Sequence, residues 1–284
     1  MNLKVLIAIH KPFEIPNEEY FLPLHVGKEN KEDLGFEGDN TGENISEKNS
    51  SFCELTGLYW AWKNLDYEVL GLCHYRRFFD IENKKDKVND IRFISKKDFL
   101  AQSFPKKKII SYLKKYDVIL PKPKVSEYSI EKNYASAHLE EDYRILTKLL
   151  EEMHPEYKES WHKISYFTNK LIHYNMLIAP KRIVDDYFEW LFPILFEVEK
   201  RIHISPYLYQ QRVIGFMSER LMTLYFTHHQ FKIKRLPILY VKDENFSQTN
   251  PSMIGKMTSN WYKNFLFFLA TLPRRLKSLR VKRI

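Results

Sequence analysis

The sequence predicts an α/β domain, a mixed sheet flanked by helices, on three observations. Leu3 to Ile9 is an aliphatic run broken only by Lys4, as a strand covered on both faces requires, and it stops at His10-Lys11-Pro12. Asp117-Val-Ile-Leu-Pro121 repeats the pattern, a short buried strand closed by proline. Between such runs lie stretches with apolar residues at helical spacing, and strands alternating with helices belong to the α/β class.

Pro12 ends the first strand, and ligands of open parallel sheets bind beyond the carboxyl ends of the strands. His10 and Lys11 are therefore candidates for the rim of a crevice, the alternative being two solvated turn residues. Residues 28 to 50 are polar, with Gly35, Gly38 and Gly42, a loop long enough to be functional. Ser51-Phe-Cys-Glu54 has capping-box spacing and predicts a helix over 51–64 that turns Phe52, Leu55, Tyr59 and Trp62 inward. The start of that helix, preceded by Asn44, Lys48 and Asn49, is a candidate anion site, unless these residues only turn the loop. Residues 68–79 read as the next strand, ending in His74, Arg76 and Arg77, and guanidinium forks match phosphate oxygens. A structural or solvated role for the two arginines is the alternative.

Residues 80–95 read as a charged surface insertion and 106–115 as a short helix with Ile109, Ile110 and Leu113 inward. The longest helical pattern covers 129–153, where Tyr134, His138 and Asp142 stand at i, i+4 and i+8 on one face. A histidine beside a carboxylate is a competent acid–base pair, although a solvated polar stripe gives the same spacing. Residues 173–180, with Asn175, read as a strand, and 182–201 as a helix whose aromatic stripe is core. Glu219 on the following helix is the rival carboxylate to Asp142, or else one half of a structural Glu-Arg pair. A late strand at 231–241 closes a domain spanning 1–242, followed by a linker at 243–260.

Cys53 and Cys73 are too few for a disulfide framework and lack metal-ligand spacing, so a reducing compartment and a packing role are expected. The N-terminus carries no cleavage-site pattern, so a secretory signal is not expected, and no run approaches the roughly 20 apolar residues of a membrane span. The net charge is +9, but residues 261–284 hold seven basic residues and no acid, leaving a nearly balanced body. That distribution argues against a nucleic-acid groove and directs attention to the tail. Trp261 to Leu272 is apolar and too short to span, but suited to lie at a membrane interface, with the basic end on anionic lipid. A helix packed on the body is the alternative.

Two runs carry a resemblance: NISEKNSSFCELTGLYWAWKNL from Asn44 and GLCHYRRFF from Gly71. They resemble a bacterial family, first catalogued as a domain of unknown function, found in capsule, lipopolysaccharide and exopolysaccharide clusters. The likeness extends from about His10 to about Tyr225. Studied members are glycosyltransferases, some of them galactofuranosyltransferases, so the resemblance implies a GT-A-like fold and a nucleotide-sugar donor, UDP-linked. It implies donor contacts at His10, Lys11, Asn44, Lys48, Asn49, His74, Arg76, Arg77 and Asn175, and catalysis by Asp142, Glu219 and His138. Enzymes of this fold usually carry an Asp-x-Asp metal site where this chain has His74, Arg76 and Arg77, so no divalent metal or other cofactor is expected. A lipid-linked glycan acceptor, met on the inner face of the cell membrane through residues 261–284, completes the expectation. The rival reading is a non-catalytic basic protein gripping nucleic acid or a membrane surface.

Overall fold

In the computed structural model, which describes residues 1–29, 31–82, 89–242 and 252–281, β1 (Leu3–Ile9) is buried because strands flank it and cores lie on both its faces. The chain continues through β2 (Phe21–His25), β3 (Glu37–Gly38), α1 (Asn49–Phe52), α2 (Leu55–Asn64), β4 (Val69–His74), β5 (Arg77–Phe79) and β6 (Ile91–Ile94). Next come α3 (Lys96–Leu100), α4 (Lys106–Leu113), β7 (Val118–Pro121), β8 (Lys124–Val125), α5 (Ile130–Ala135), α6 (Glu140–Met153) and α7 (Lys158–Phe167). It ends with β9 (Lys170–Leu171), β10 (Ile178–Pro180), α8 (Lys181–Arg201), α9 (Leu208–Gln211), α10 (Val213–His228), β11 (Ile233–Leu236), β12 (Ile238–Val241) and α11 (Met253–Val281).

The main sheet runs β3-β2-β1-β4-β10-β7-β11. β1 is parallel to β2 and β4, whereas β10 is antiparallel to both β4 and β7, so the sheet is mixed. On one face Leu6, Ala8 and Leu72 join the core under α2, α8 and α10, and on the other Val5, Ile7 and Cys73 join Phe78, Phe99 and Phe104. Each buried Leu, Val, Ile or Phe among them contributes roughly 1.5–3 kcal/mol. The aromatic stripe of α8 is core, as its spacing predicts: Phe192 lies 5.7 Å from Trp62 and 5.0 Å from Tyr59 of α2. α2 presses close on the sheet at Gly57, where a Cβ would meet Val26 at 2.8 Å.

Several predicted boundaries are corrected. No capping box forms at Ser51: its hydroxyl donates to the Lys48 carbonyl, and the helix breaks at Cys53, whose φ is +54°. The helix over 129–153 is two helices, because the chain turns at 136–139, and His138 sits in that break. The strand over 68–79 is a hairpin in which His74 pairs with Arg77 across the turn holding Arg76. Only Ile178–Pro180 is strand in 173–180, since Tyr174 (φ +78°) and Asn175 (φ +51°) form a turn. Pro237, without a donor for the ladder, divides 231–241 into β11 and β12. The insertion at 80–95 contains β6, paired with β12; its residues 83–88 lie outside the described residues.

Of the predicted linker, 243–251 lie outside the described residues, and the rest is helix from Met253, with the Ser252 hydroxyl accepting from the Gly255 amide. α11 packs on the body through a largely polar face. Lys256 pairs with Asp90 at 2.5 Å, Asn264 accepts from Asn169 at 3.0 Å, Arg274 lies 3.6 Å from Glu131, and Phe267 and Thr271 are buried. Its opposite face exposes Ile254, Trp261, Tyr262, Phe265, Phe268 and Leu269. No helix among the described residues is long and apolar enough to cross a membrane.

Candidate active site

Because β1, β2 and β4 are parallel neighbours, their carboxyl ends deliver His10, His25 and His74 to one edge of the sheet. The His10 ring is wedged edge-on against Tyr75 at 4.9 Å. His10 stands exposed at the strand end, yet loss of water around its ring, reinforced by Lys11, His74, Lys31 and Arg212, pushes its pKa down to about 4, so His10 is neutral at pH 7. His74 Nε2 lies 2.8 Å from the Tyr174 carbonyl oxygen, and burial lowers its pKa against the pull of Glu54. Arg77 lies over the Tyr174 ring at 4.7 Å and over Tyr240 at 5.3 Å, while its buried Nε has no hydrogen-bond acceptor among the described residues. Arg212 closes the other side, its Nε donating to the Cys53 sulfur at 3.3 Å.

Two carboxylates lie below this cationic rim. Glu54 accepts from Asn175 Nδ2 at 2.8 Å, and Asn175 Oδ1 in turn accepts from the Ser218 hydroxyl at 2.8 Å. Glu219 accepts from the Tyr174 amide at 2.7 Å and lies 3.3 Å from both His173 Nδ1 and Arg220. Burial acts to raise the Glu219 pKa, but His173, Arg220 and the Tyr174 amide together outweigh it and hold the group at about 2. Three non-glycine residues with positive φ meet here: Cys53, and Tyr174 with Asn175. Left-handed backbone costs such residues about 1–2 kcal/mol each, and strain of this kind concentrates at functional sites.

Residues 4–230 match the family described as Domain of unknown function (DUF4422). The chain belongs to this family. A solved structure described as the WbbM bifunctional glycosyltransferase in its apo form matches with a TM-score of 0.77 and 31% identity over 88% of this chain. The match covers 47% of that structure's chain, so the present chain spans about half its length. No curated protein matches. The mixed sheet flanked by helices is thus a GT-A-like glycosyltransferase fold, as the resemblance implies.

In this DUF4422 chain the predicted loop residues behave differently from the rim. Asn44 turns its own loop, donating to the Gly42 carbonyl and accepting from the Ser46 amide. Lys48 pairs with Glu199 at 3.0 Å, and Asn49 donates to the Cys53 carbonyl and to Thr56 while accepting from Lys31. The expected open helix start is absent there, since α1 is a four-residue turn of helix and the Glu54 carboxylate stands at the start of α2. Asn175, expected beneath the donor sugar, has its amide engaged with Glu54, Gly215 and Ser218, and holds the turn that aims Tyr174. Lys11 remains exposed at the rim and Arg76 lies in the hairpin turn, its guanidinium 5.1 Å from the Tyr75 ring.

His138 is not paired with Asp142. Its Nδ1 lies 3.2 Å from Gln210, and its ring stacks on Phe216 at 4.2 Å, on the Glu219 side of α10. Asp142 is buried on α6, where loss of water followed by Glu141 raises its pKa to about 6 while His203 opposes. Sequence reasoning missed His173, Glu54, Lys31 and Arg212, because each acquires its role from a partner far away in the chain. It also missed the function of Asp39, which is fully buried and accepts from the Gly27 and Lys28 amides and the Ser46 and Thr56 hydroxyls. Gly27 is required in that knot, as its φ is +63° and a Cβ would meet Asn49 at 2.3 Å. Both cysteines are free; Cys73 is core, and Cys53 touches Arg212, its thiol pushed up to about 12 by burial. Among the described residues no group of three or more His, Cys, Asp or Glu is arranged to hold a metal ion.

Proposed function

We propose that this protein is a glycosyltransferase that moves a sugar from a nucleotide donor, bound over the carboxyl ends of β1, β2 and β4, to a glycan acceptor. The observation that carries the reading is the rim of Lys11, Lys31, Arg77 and Arg212 above the Glu219–His173 pair, on strained backbone. The match to a glycosyltransferase structure supports it. As the anomeric carbon leaves the donor diphosphate, negative charge grows on the phosphate oxygens, and fixed guanidinium groups stabilise it best when they need not reorganise. Arg77, whose Nε has no acceptor among the described residues, and Arg212 fill that role. The acceptor hydroxyl bonds to the anomeric carbon and gives its proton to His173, which Glu219 orients through Nδ1 and stabilises once charged. His138 and Asp142 flank the acceptor side and rank behind this pair.

In this reading the cations at the end of β4 take over the diphosphate from a divalent metal, so transfer survives chelation. The donor is UDP-linked, a galactofuranose or another hexose, and the product belongs to a surface polysaccharide such as capsule, lipopolysaccharide or exopolysaccharide. α11 lies on the inner face of the cell membrane through its exposed apolar face, with the basic end on anionic headgroups at about 1 kcal/mol per charge. The deciding experiment is a panel of nucleotide sugars screened for thermal stabilisation and then for transfer with and without chelator. One UDP-sugar is expected to raise the melting temperature and to turn over in chelator. A protein that no nucleotide sugar stabilises refutes the reading, and activity restored only by manganese or magnesium refutes its metal-independent part.

A further inference from the structure

A row of stacked rings leads outward from Glu219. Arg212, Phe216 and Glu219 follow one another four and three residues apart along α10 and so share a face, with Phe216 about 4.5 Å along the axis from Glu219. The Arg212 guanidinium lies 5.5 Å from the Phe216 ring. On the other side of that ring stacks His138, at 4.2 Å, and Tyr209 stacks on His138 at 5.7 Å with the two planes 18° apart. The row thus starts one helical turn from the carboxylate and ends at a tyrosine that is 57% exposed. Beside it Tyr207 and Leu208, 75% and 83% exposed, project further than any other large hydrophobic side chain among the described residues.

α9 is fastened in this position. Gln210 reaches from it to the turn at 136–139, where Nε2 donates to the Ala137 carbonyl at 2.9 Å and Oε1 accepts from His138 Nδ1 at 3.2 Å. Burial lowers the His138 pKa, so the ring is mainly neutral at pH 7 with its proton on Nδ1. Its Nε2 is then a hydrogen-bond acceptor, and it has no partner among the described residues.

These features select one occupant. A lipid tail, or the apolar face of another protein, covers exposed rings but offers no hydrogen to Nε2. A sugar ring offers both: one face carries C–H bonds, which the negative face of an aromatic ring attracts, and its rim carries hydroxyls that donate. Because the row begins beside Glu219, a glycan lying along it has its reacting end at the site of transfer, and the phosphates of the donor lie at the strand-end cations instead.

We propose that the exposed face of Tyr209, backed by His138 and Phe216, is a stacking platform for a sugar ring of the acceptor glycan, and that Tyr207 extends it outward. Assignment of that sugar to the acceptor rests on the glycosyltransferase reading, whereas the platform itself rests on the ring geometry. The test titrates methyl glycosides of galactose, glucose, mannose, rhamnose and N-acetylglucosamine into the full chain. Binding is followed by saturation transfer from protein to sugar protons for wild type, Tyr209→Ala, Tyr209→Phe and Tyr207→Ala/Leu208→Ala. Nucleotide-sugar binding, oligomeric state and sedimentation with phosphatidylglycerol vesicles are recorded for the same proteins.

At least one methyl glycoside is expected to bind, with saturation strongest on the C–H protons of one ring face. Tyr209→Ala is expected to weaken it by about fivefold or more, while Tyr209→Phe, which keeps the π-face, stays within about twofold. Nucleotide-sugar binding is expected to be the same in all four proteins. No glycoside binding by the wild type, equal binding by Tyr209→Ala, or a loss that Tyr209→Phe shares overturns the platform. Loss of vesicle binding or of a dimer in Tyr207→Ala/Leu208→Ala gives the patch to a membrane or a second copy and overturns it too. If glycosides bind through Tyr209 while no nucleotide sugar binds, the platform stands and the transferase reading fails; the reverse result keeps that reading and removes the platform.

Discussion

The loop before α2 and the rim at the carboxyl ends of β1, β2 and β4 are both rich in polar residues, and they use them in opposite ways. In the loop, polar groups satisfy each other: Asp39 gathers four donors, Lys48 has Glu199, and Asn44 and Asn49 hold their own turns. Along the strand-end rim, the Arg77 Nε has no hydrogen-bond acceptor among the described residues, and the Arg212 Nε meets the Cys53 sulfur in place of a carboxylate. Density of polar residues thus marks a structural knot as readily as a binding site, and what distinguishes them is whether the charges are balanced from within.

The largest effect that tests this contrast is catalytic. Glu219→Gln and His173→Ala are each expected to cost about two to four orders of magnitude in turnover with the fold intact, the usual cost of losing a general base or its orienting group. Lys48→Ala, in the loop, is expected to leave turnover within about threefold of wild type because that position costs a half-buried ion pair and no ligand. Equal loss at both positions in a single-turnover assay erases the distinction between rim and loop.

Stability reverses the ranking. Asp39→Ala leaves two amides and two hydroxyls without their acceptor in a buried setting, and is expected to destabilise by about 3 kcal/mol or more in urea unfolding. Lys11→Ala is expected to be neutral, since that side chain stands exposed at the rim. A destabilised Lys11 variant shows that the rim is balanced after all.

Much of the fold was legible in the sequence, and the reasons are local. The apolar run of β1, the proline that closes β7 and the aromatic stripe of α8 announce burial by composition and spacing alone. Breaks were less legible. Cys53, Tyr174 and Asn175 take positive φ although none is glycine, because the Glu54–Asn175 and Glu219–Tyr174 hydrogen bonds impose it, and those partners lie 121 and 45 residues apart. The spacing of Tyr134, His138 and Asp142 reads as one helix face, but the chain turns at 136–139, so His138 lies between two helices and off that face. His74 and Arg77 were visible at a strand end, whereas Arg212 joins them only through tertiary contact.

A smaller effect sharpens the comparison at Asp142, the candidate base outside the rim. Its pKa is raised to about 6, so the folded state favours the protonated form. The wild type therefore loses stability as pH rises from the ordinary aspartate value near 4 through 6, and Asp142→Asn, neutral throughout, does not. The variant is expected to match the wild type at pH 4 and to melt about 2 °C or more above it at pH 7, with turnover reduced far less than in Glu219→Gln. A variant as inactive as Glu219→Gln makes Asp142 part of the chemistry instead.

The smallest effect concerns His10, which distinguishes a rim awaiting an anion from one already balanced. In the free protein its pKa is about 4, held down by loss of water around the ring and then by Lys11, His74, Lys31 and Arg212, so near pH 7 it carries no proton. A diphosphate seated among those cations cancels their repulsion and raises the His10 pKa, so binding takes up a fraction of a proton wherever the pH lies between the free and bound values. By linkage, affinity then rises as pH falls. The best-binding nucleotide sugar is the proper probe, because its diphosphate is doubly esterified and does not itself titrate in this range. Its dissociation constant is expected to fall by about two- to fivefold from pH 7.5 to pH 5.5, and His10→Asn is expected to flatten that slope while binding at pH 7.5 stays within about twofold. Buffers of different ionisation enthalpy in calorimetry report the same uptake directly. An affinity that does not change with pH in the wild type, or a slope that survives in His10→Asn, means the donor phosphates lie away from the end of β1 and the rim is not their seat.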